Sequence, residues 1–187
     1  MNNAIYRYID FDGVIYNTNE IIDALILQAG LAAEQQDLIT KLIRQIDFYN
    51  MIKNAKEINN SLTALQELIK DKRYITKILT HVNSIKEAED KLKIIKEVSN
   101  QIKVIAVPKE ICKSHYVNPT NAILVDDYKG NLKYWKNKGG LPIHFDPQLK
   151  ESEYPVINSL FDLDKTIETY YPKVLKMSNH HQKQQKE

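Results

Sequence analysis

The chain has 187 residues, 43% hydrophobic and 27% charged, a length and composition that suit one globular domain with a sizeable core. Its 26 basic and 24 acidic residues are mixed along the sequence and leave a net charge of only +2, so neither a nucleic-acid polymer nor a membrane surface is expected as a partner. A single cysteine, Cys112, excludes an internal disulfide, and without a charged-plus-apolar leader the expected setting is cytoplasmic. The most apolar stretch, Ala24 to Ala33, is too short for a bilayer and contains Gln28.

In chain order, residues 4–9 read as a buried strand in which Arg7 suggests an end or edge of the pleat. Asp10-Phe11-Asp12-Gly13 follows at once. Residues 19–29 carry helical spacing with an asparagine cap, and residues 30–59 remain helical in pattern, with aromatics at Phe48 and Tyr49 and no strand signal. Asn60-Ser61 opens a helix whose apolar face is Leu62, Leu65, Leu68 and Ile69. Residues 75–80 form a second strand ending on Thr80, and Ser84 with Glu87 is a capping box that starts a helix to about Asn100. Residues 102–107 form a third strand, and residues 122–125 a fourth that runs straight into Asp126-Asp127. A helix over 131–138 ends at Gly139-Gly140, a fifth strand covers 141–145, and 162–171 is a last helix. The polar stretch after Ser178 is expected to be disordered.

Short apolar strands alternating with helices predict an α/β fold, a Rossmann-like doubly wound parallel sheet covered on both faces. The helical stretch between the first two strands is too long for one crossover, which predicts a small inserted helical cap. The expected division is a core of residues 1–16 and 72–175, a cap over 17–71, and a tail over 176–187.

In such a sheet the C-terminal strand ends meet at one edge, so Asp10 and Asp12, Thr80, the Lys109–Lys113 segment and Asp126-Asp127 should converge. Two carboxylates so close repel each other, and a divalent cation with oxygen ligands would offset this. The chemistry these groups suit is phosphoryl transfer. One carboxylate can attack phosphorus, a second can move a proton, and a hydroxyl and an ammonium can hold the phosphoryl oxygens.

These residues closely resemble the haloacid dehalogenase-like (HAD) hydrolase superfamily: Asp10-Phe11-Asp12-Gly13-Val14 is similar to its first motif, Thr80 to its second and Asp126-Asp127 to its fourth. The segment from Ala122 to Leu132, with Trp135 and Gly139-Gly140, resembles the 5'(3')-deoxyribonucleotidase-like branch. The resemblance spans roughly residues 4–17 and 75–145. It implies Asp10 as nucleophile, forming an aspartyl-phosphate, and Asp12 as general acid and then base. It also implies Mg2+ on the Asp10 carboxylate, the Asp12 backbone carbonyl and Asp126, with Thr80 and a lysine on the phosphoryl oxygens. Lys113 is favoured over Lys109, because the family keeps this lysine in the short segment that precedes the fourth strand. Asp127 is either a metal ligand or a group orienting Thr80 or Lys113. Asn131 stands where the family often has another acid.

Substrate-lining candidates are Tyr16, His81, Phe48 and Tyr49, with packing of the insertion against the core the alternative for Phe48 and Tyr49 and an ordinary loop histidine that for His81, while Tyr128 and Trp135 are expected to pack the following helix. The Asp162-Leu163-Asp164-Lys165-Thr166 segment mimics the first motif but has no chain after it to complete a site, so Asp162 is read as a helix cap. His180 and His181 are not expected to bind metal, and Cys112 is read as a small, partly buried residue beside Lys113 and His115.

The spacing from Asp12 to Thr80 leaves room for a cap only between the first and second motifs. A lid there implies a substrate small enough to be enclosed. The expected activity is a Mg2+-dependent phosphomonoesterase acting on (deoxy)nucleoside monophosphates. The alternatives are a phosphatase of sugar or other small-molecule phosphates, or a catalytically silent protein that keeps the fold. Either a monomer or a homodimer is compatible with the sequence.

Overall fold

The computed structural model describes residues 5–173. The expected tail over 176–187, with His180 and His181, lies outside the described residues. Strand β1 (Ile5–Ile9) leads into three helices, α1 (Thr18–Gln28), α2 (Gln36–Arg44) and α3 (Phe48–Asn54), and then α4 (Ser61–Leu68). There follow β2 (Tyr74–Val82), α5 (Ile85–Val98), β3 (Lys103–Pro108), the short α6 (Lys113–Tyr116) and β4 (Ile123–Asp126). After α7 (Lys129–Asn137) and β5 (Leu141–Phe145) come a two-residue β6 (Val156–Ile157), a 3-10 turn over Leu160–Asp162 and α8 (Leu163–Tyr170). No helix among the described residues is long and apolar enough to cross a membrane.

All six strands are parallel, in the order β3-β2-β1-β4-β5-β6. The chain therefore moves outward on one side of β1, then returns to build the other side from β4. β1 and β4 flank the point where the winding reverses, and their C-terminal ends open a crevice there. The central strands are apolar on both faces because helices cover both: Ile9, Ile78, Ile123 and Val125 belong to one core cluster, and Tyr8, Leu79 and Leu124 to another with Trp135.

Arg7 departs from its expected place at an edge. It sits mid-strand in the centre of the sheet, fully buried, where Nε donates to Thr76 Oγ1 at 3.2 Å and Nη2 to the Leu68 carbonyl at 2.6 Å. Its guanidinium also pairs with Asp164 and stacks 4.0 Å over the Tyr74 ring. The Asp-x-Asp mimic near the C-terminus thus supplies a counter-ion to the central strand. Asp162 makes no side-chain cap; Ser159 caps the preceding turn instead, accepting from Phe161 N at 3.3 Å.

Two other caps differ from expectation. Asn19 lies inside α1, whose cap position is Asn17, and Asn60 starts α4 in a left-handed conformation without a side-chain bond. At α5, Ser84 does accept from Glu87 N at 3.1 Å, but the Glu87 carboxylate reaches Asn83 N at 2.7 Å rather than the cap residue.

The insertion closes on itself at a narrow neck: Asn17 N donates to Lys56 O and Ile58 N to Ile15 O, both at 3.0 Å, around an antiparallel bridge between Tyr16 and Glu57. α4 lies beyond this neck, with Leu65 and Leu68 in the core. α3 packs on α5 and sends Phe48, Met51 and Ile52 into the same core.

Candidate active site

Asp10 and Asp12 lie in the turn after β1, Thr80 near the end of β2, Lys113 at the start of α6, and Asp126 and Asp127 at and just after the end of β4. Asp10 follows β1, and its backbone N–H still donates to Val125 O at 2.9 Å, which holds the Asp10 turn against the end of β4. Its carboxylate accepts from Phe11 N at 2.7 Å and pairs with Lys113 Nζ at 2.8 Å. Lys113 opens α6, only 1% exposed, and its ammonium also lies 2.7 Å from Asp126 Oδ2. Asp126 ends β4 and is held from its other side by Tyr128 N at 2.9 Å and by Asn131 Nδ2 at 3.0–3.1 Å. Asn131 therefore orients the aspartate rather than adding an acid.

Carboxylate oxygens of Asp10, Asp126 and Asp127 lie within 4.8 Å of one another. Burial, followed by the charge of Asp126 and Asp12, holds the Asp10 carboxyl well above the usual carboxylate range despite Lys113. Burial and the neighbouring Asp10 and Asp126 push Asp127 up to about 8. Three convergent hard oxygen donors whose ionised forms repel one another are the donor set that suits a small divalent cation such as magnesium. Gly13 leaves space for this arrangement: a Cβ there would meet Asp127 Oδ2 at 2.1 Å and Asn19 Nδ2 at 2.8 Å.

Asp12 faces a different environment. Its Oδ1 accepts from Thr18 Oγ1 at 2.6 Å and its Oδ2 from Lys91 Nζ at 2.5 Å, with Thr80 Oγ1 at 3.3 Å. Burial alone would raise its pKa, but the charge and hydrogen bond of Lys91, with the Thr18 hydroxyl, bring it below the ordinary value. Two aspartates two residues apart are thus driven in opposite directions by what faces them.

A cavity of about 280 Å³ opens over these groups, lined by Asp10, Asp12 and Asp127, by Ile22 and Ile43 of the inserted helices, and by Asn83 and Glu87, among others. Lys109, exposed, also lines it, whereas Lys113 is buried between the aspartates. His81 lines it too. Its Nε2 lies 3.0 Å from the Ile111 carbonyl, and burial together with the Lys113 charge lowers its pKa to about 4, so the ring is neutral near pH 7.

Three of the expected substrate-lining aromatics are not placed on this cavity. Phe48 is 1% exposed and part of the core, because α3 turns it onto α5. Tyr49 also turns to α5, donating to Glu97 at 2.9 Å with Lys93 3.7 Å over its ring. Tyr16 pairs its backbone with Glu57 at the neck and packs its ring 5.5 Å from that of Phe11. Conversely Tyr128, expected to pack α7, is 66% exposed and lines the cavity, while Trp135 is buried as expected.

Lys91, Thr18, Asn19 and Glu87 were not legible as site residues. A signal did exist for two of them: Glu87, Lys91, Ile94 and Ile95 share one helical stripe, so the charged pair had to face the sheet.

No protein-family model matches the chain, and no curated protein matches it in sequence. Solved structures do match. A haloacid dehalogenase-like hydrolase from Streptococcus pneumoniae superposes with a TM-score of 0.63 at 13% identity, over 88% of this chain and 99% of that one. A HAD-superfamily hydrolase of subfamily IA from Geobacter sulfurreducens gives 0.59 at 13% identity, over 86% and 98%. A HAD hydrolase from Bacillus subtilis, solved bound to magnesium, gives 0.60 at 10% identity, over 87% and 97%. The structural neighbours are thus HAD-superfamily hydrolases, and the six-stranded parallel sheet is of their Rossmann-like type.

Proposed function

We propose that this chain is a magnesium-dependent phosphomonoesterase working through an aspartyl-phosphate on Asp10. The observation that carries this reading is the convergence of Asp10, Asp126 and Asp127, with Lys113 bridging the first two and Asp12 held separately alongside. The magnesium in the Bacillus neighbour supports the choice of cation. Asp10, Asp126, Asp127 and the Asp12 backbone carbonyl would hold it, and when bound it offsets the charge of the phosphoryl group.

Lys113 screens Asp10 from Asp126, and with Thr80 it would receive the phosphoryl oxygens. An Asp10 oxygen attacks phosphorus while the leaving oxygen departs with a proton from Asp12. A water that gives its proton to Asp12 then attacks the phosphoryl group and frees Asp10. Asp12 starts as a carboxylate because Lys91 and Thr18 favour that form. A phosphate ester that arrives as its monoanion passes its remaining proton to Asp12, whose proton affinity the phosphoryl charge raises, and this is the proton delivered to the leaving oxygen. Ile22 and Ile43 roof the cavity and exclude water from the phosphoenzyme.

The substrate on this reading is a small phosphate monoester, with (deoxy)nucleoside monophosphates the leading class. Tyr128, exposed beside Asp127, supplies an aromatic face for a base. A sugar or other small-molecule phosphate is the second reading, favoured by a cavity of only about 280 Å³, at the lower end for small-ligand sites.

Phosphate release from a panel of nucleoside monophosphates and sugar phosphates, with magnesium and with chelator, tests the proposal. Turnover should need the metal and fall by at least about 10⁴-fold in Asp10→Asn, since that variant loses the nucleophile. Folded protein that hydrolyses no member of the panel, or an Asp10→Asn variant that keeps its rate, would overturn it.

A further inference from the structure

Lys91 does not reach the cavity. It is fully buried in α5, between the rings of Phe11 and Phe48 at 5.4 and 5.9 Å, in a wall where an apolar side chain would be cheaper to bury. Its ammonium lies 2.5 Å from Asp12 Oδ2, 2.8 Å from Glu87 Oε1, 2.9 Å from the His81 carbonyl and 3.2 Å from Thr80 Oγ1. Three N–H bonds shared among four oxygens leave the ammonium little freedom to move.

A purely structural ion pair would be complete with Glu87, one turn back on the same helix. The side chain instead extends past Glu87 to two groups that leave different strands, Asp12 and Thr80. Asp12 is consequently gripped at both oxygens, by Lys91 from α5 and by Thr18 from the first turn of α1. Glu87 in turn accepts from Asn83 N, which ties the turn after β2 into the same network.

We propose that Lys91 is a positioning residue: it aims the Asp12 carboxylate at the leaving side of the bound phosphate ester and holds the Thr80 hydroxyl beside it. The inference rests on the phosphomonoesterase reading and adds to it a residue that never touches substrate. Its consequence depends on the leaving group. An alkoxide needs a proton delivered from a well-aimed acid, whereas a nitrophenolate leaves without one.

The experiment compares kcat/KM, which reports steps through formation of the phosphoenzyme, for an alkyl phosphate and p-nitrophenyl phosphate with magnesium present. Lys91→Met should lower the alkyl value about 100-fold and the nitrophenyl value by less than about tenfold, the difference being the general-acid contribution. The double variant Lys91→Met with Glu87→Gln removes the stranded carboxylate and serves where the single variant melts too low. Thr18→Val, which frees the other Asp12 oxygen, should shift the ratio in the same direction. Equal losses on both esters in folded protein, or no loss on either, overturn the inference and leave the phosphatase reading standing. The alkyl ester is the best substrate of the nucleotide and sugar phosphate panel, and folded wild-type protein that hydrolyses no member of that panel overturns both.

Discussion

Gly13 is where backbone conformation and site chemistry meet in one residue. Its φ of +72° lies in the left-handed region, and the space beside it is taken by Asp127 and Asn19. Gly13→Ala should cost about 1–2 kcal/mol from backbone strain alone, lowering the melting temperature by roughly 2–8 °C for a chain of this length. It should also weaken magnesium binding, because a methyl group at that point displaces the Asp127 carboxylate; calorimetric titration beside a melting curve separates the two effects. At this scale Asp10, Asp12, Thr80 and Asp126 stand out by their positions at the ends of apolar runs, whereas Lys113 is favoured over Lys109 only through the family resemblance. For Lys91 the helical stripe shared with Glu87, Ile94 and Ile95 turns the side chain to the sheet, but nothing in the order of residues says that it will end beside the turn after β1.

The element that most changes the expected picture is α3. A helix carrying Phe48 and Tyr49 reads as part of a lid, yet it lies on α5 and completes the core. Phe48→Ala should therefore destabilise the fold by about 3–5 kcal/mol, the cost of emptying a buried aromatic site. The folded fraction should keep its KM for the preferred phosphate ester; denaturant unfolding and steady-state kinetics on one preparation would show this. A raised KM without loss of stability would restore Phe48 to the cavity wall. Arg7 makes a similar point for β1. A charge in mid-strand suggested an edge, but a central position is tolerated because α8 delivers Asp164 and α4 delivers the Leu68 carbonyl.

For the whole molecule, the crowded carboxylates should make stability depend on pH and, on the proposed reading, on magnesium. Asp127, and Asp10 in the same direction, bind protons more tightly folded than unfolded. Without metal, folding is thus favoured below about pH 4 relative to higher pH on their account, and that contribution is lost as pH rises through the window to about pH 8. In chelator the melting temperature should fall by about 5 °C or more between pH 5 and pH 8. Magnesium should restore it, and more strongly at pH 8, where the carboxylates no longer hold their protons. His81, held near 4, works the other way up to about pH 6.5, so a metal-free melting temperature that rises from pH 6.5 to pH 8 would show that the three aspartates are not crowded in solution.

The sequence by itself determined the fold class and the groups at the crevice, because strands, turns and the polar residues that end them are set by short-range pattern. Short apolar runs that stop at polar turns read as buried strands, and a parallel sheet must bring their C-terminal ends to one edge. The tertiary structure decided everything that depends on which faces meet. It placed Lys91 against Asp12, Asp164 against Arg7, Phe48 in the core and Tyr128 at the cavity, and it added β6, too short at two residues to carry a pattern of its own. Such pairings join residues up to 157 positions apart. Their energies come from burial and charge neutralisation that exist only once the chain has closed around them.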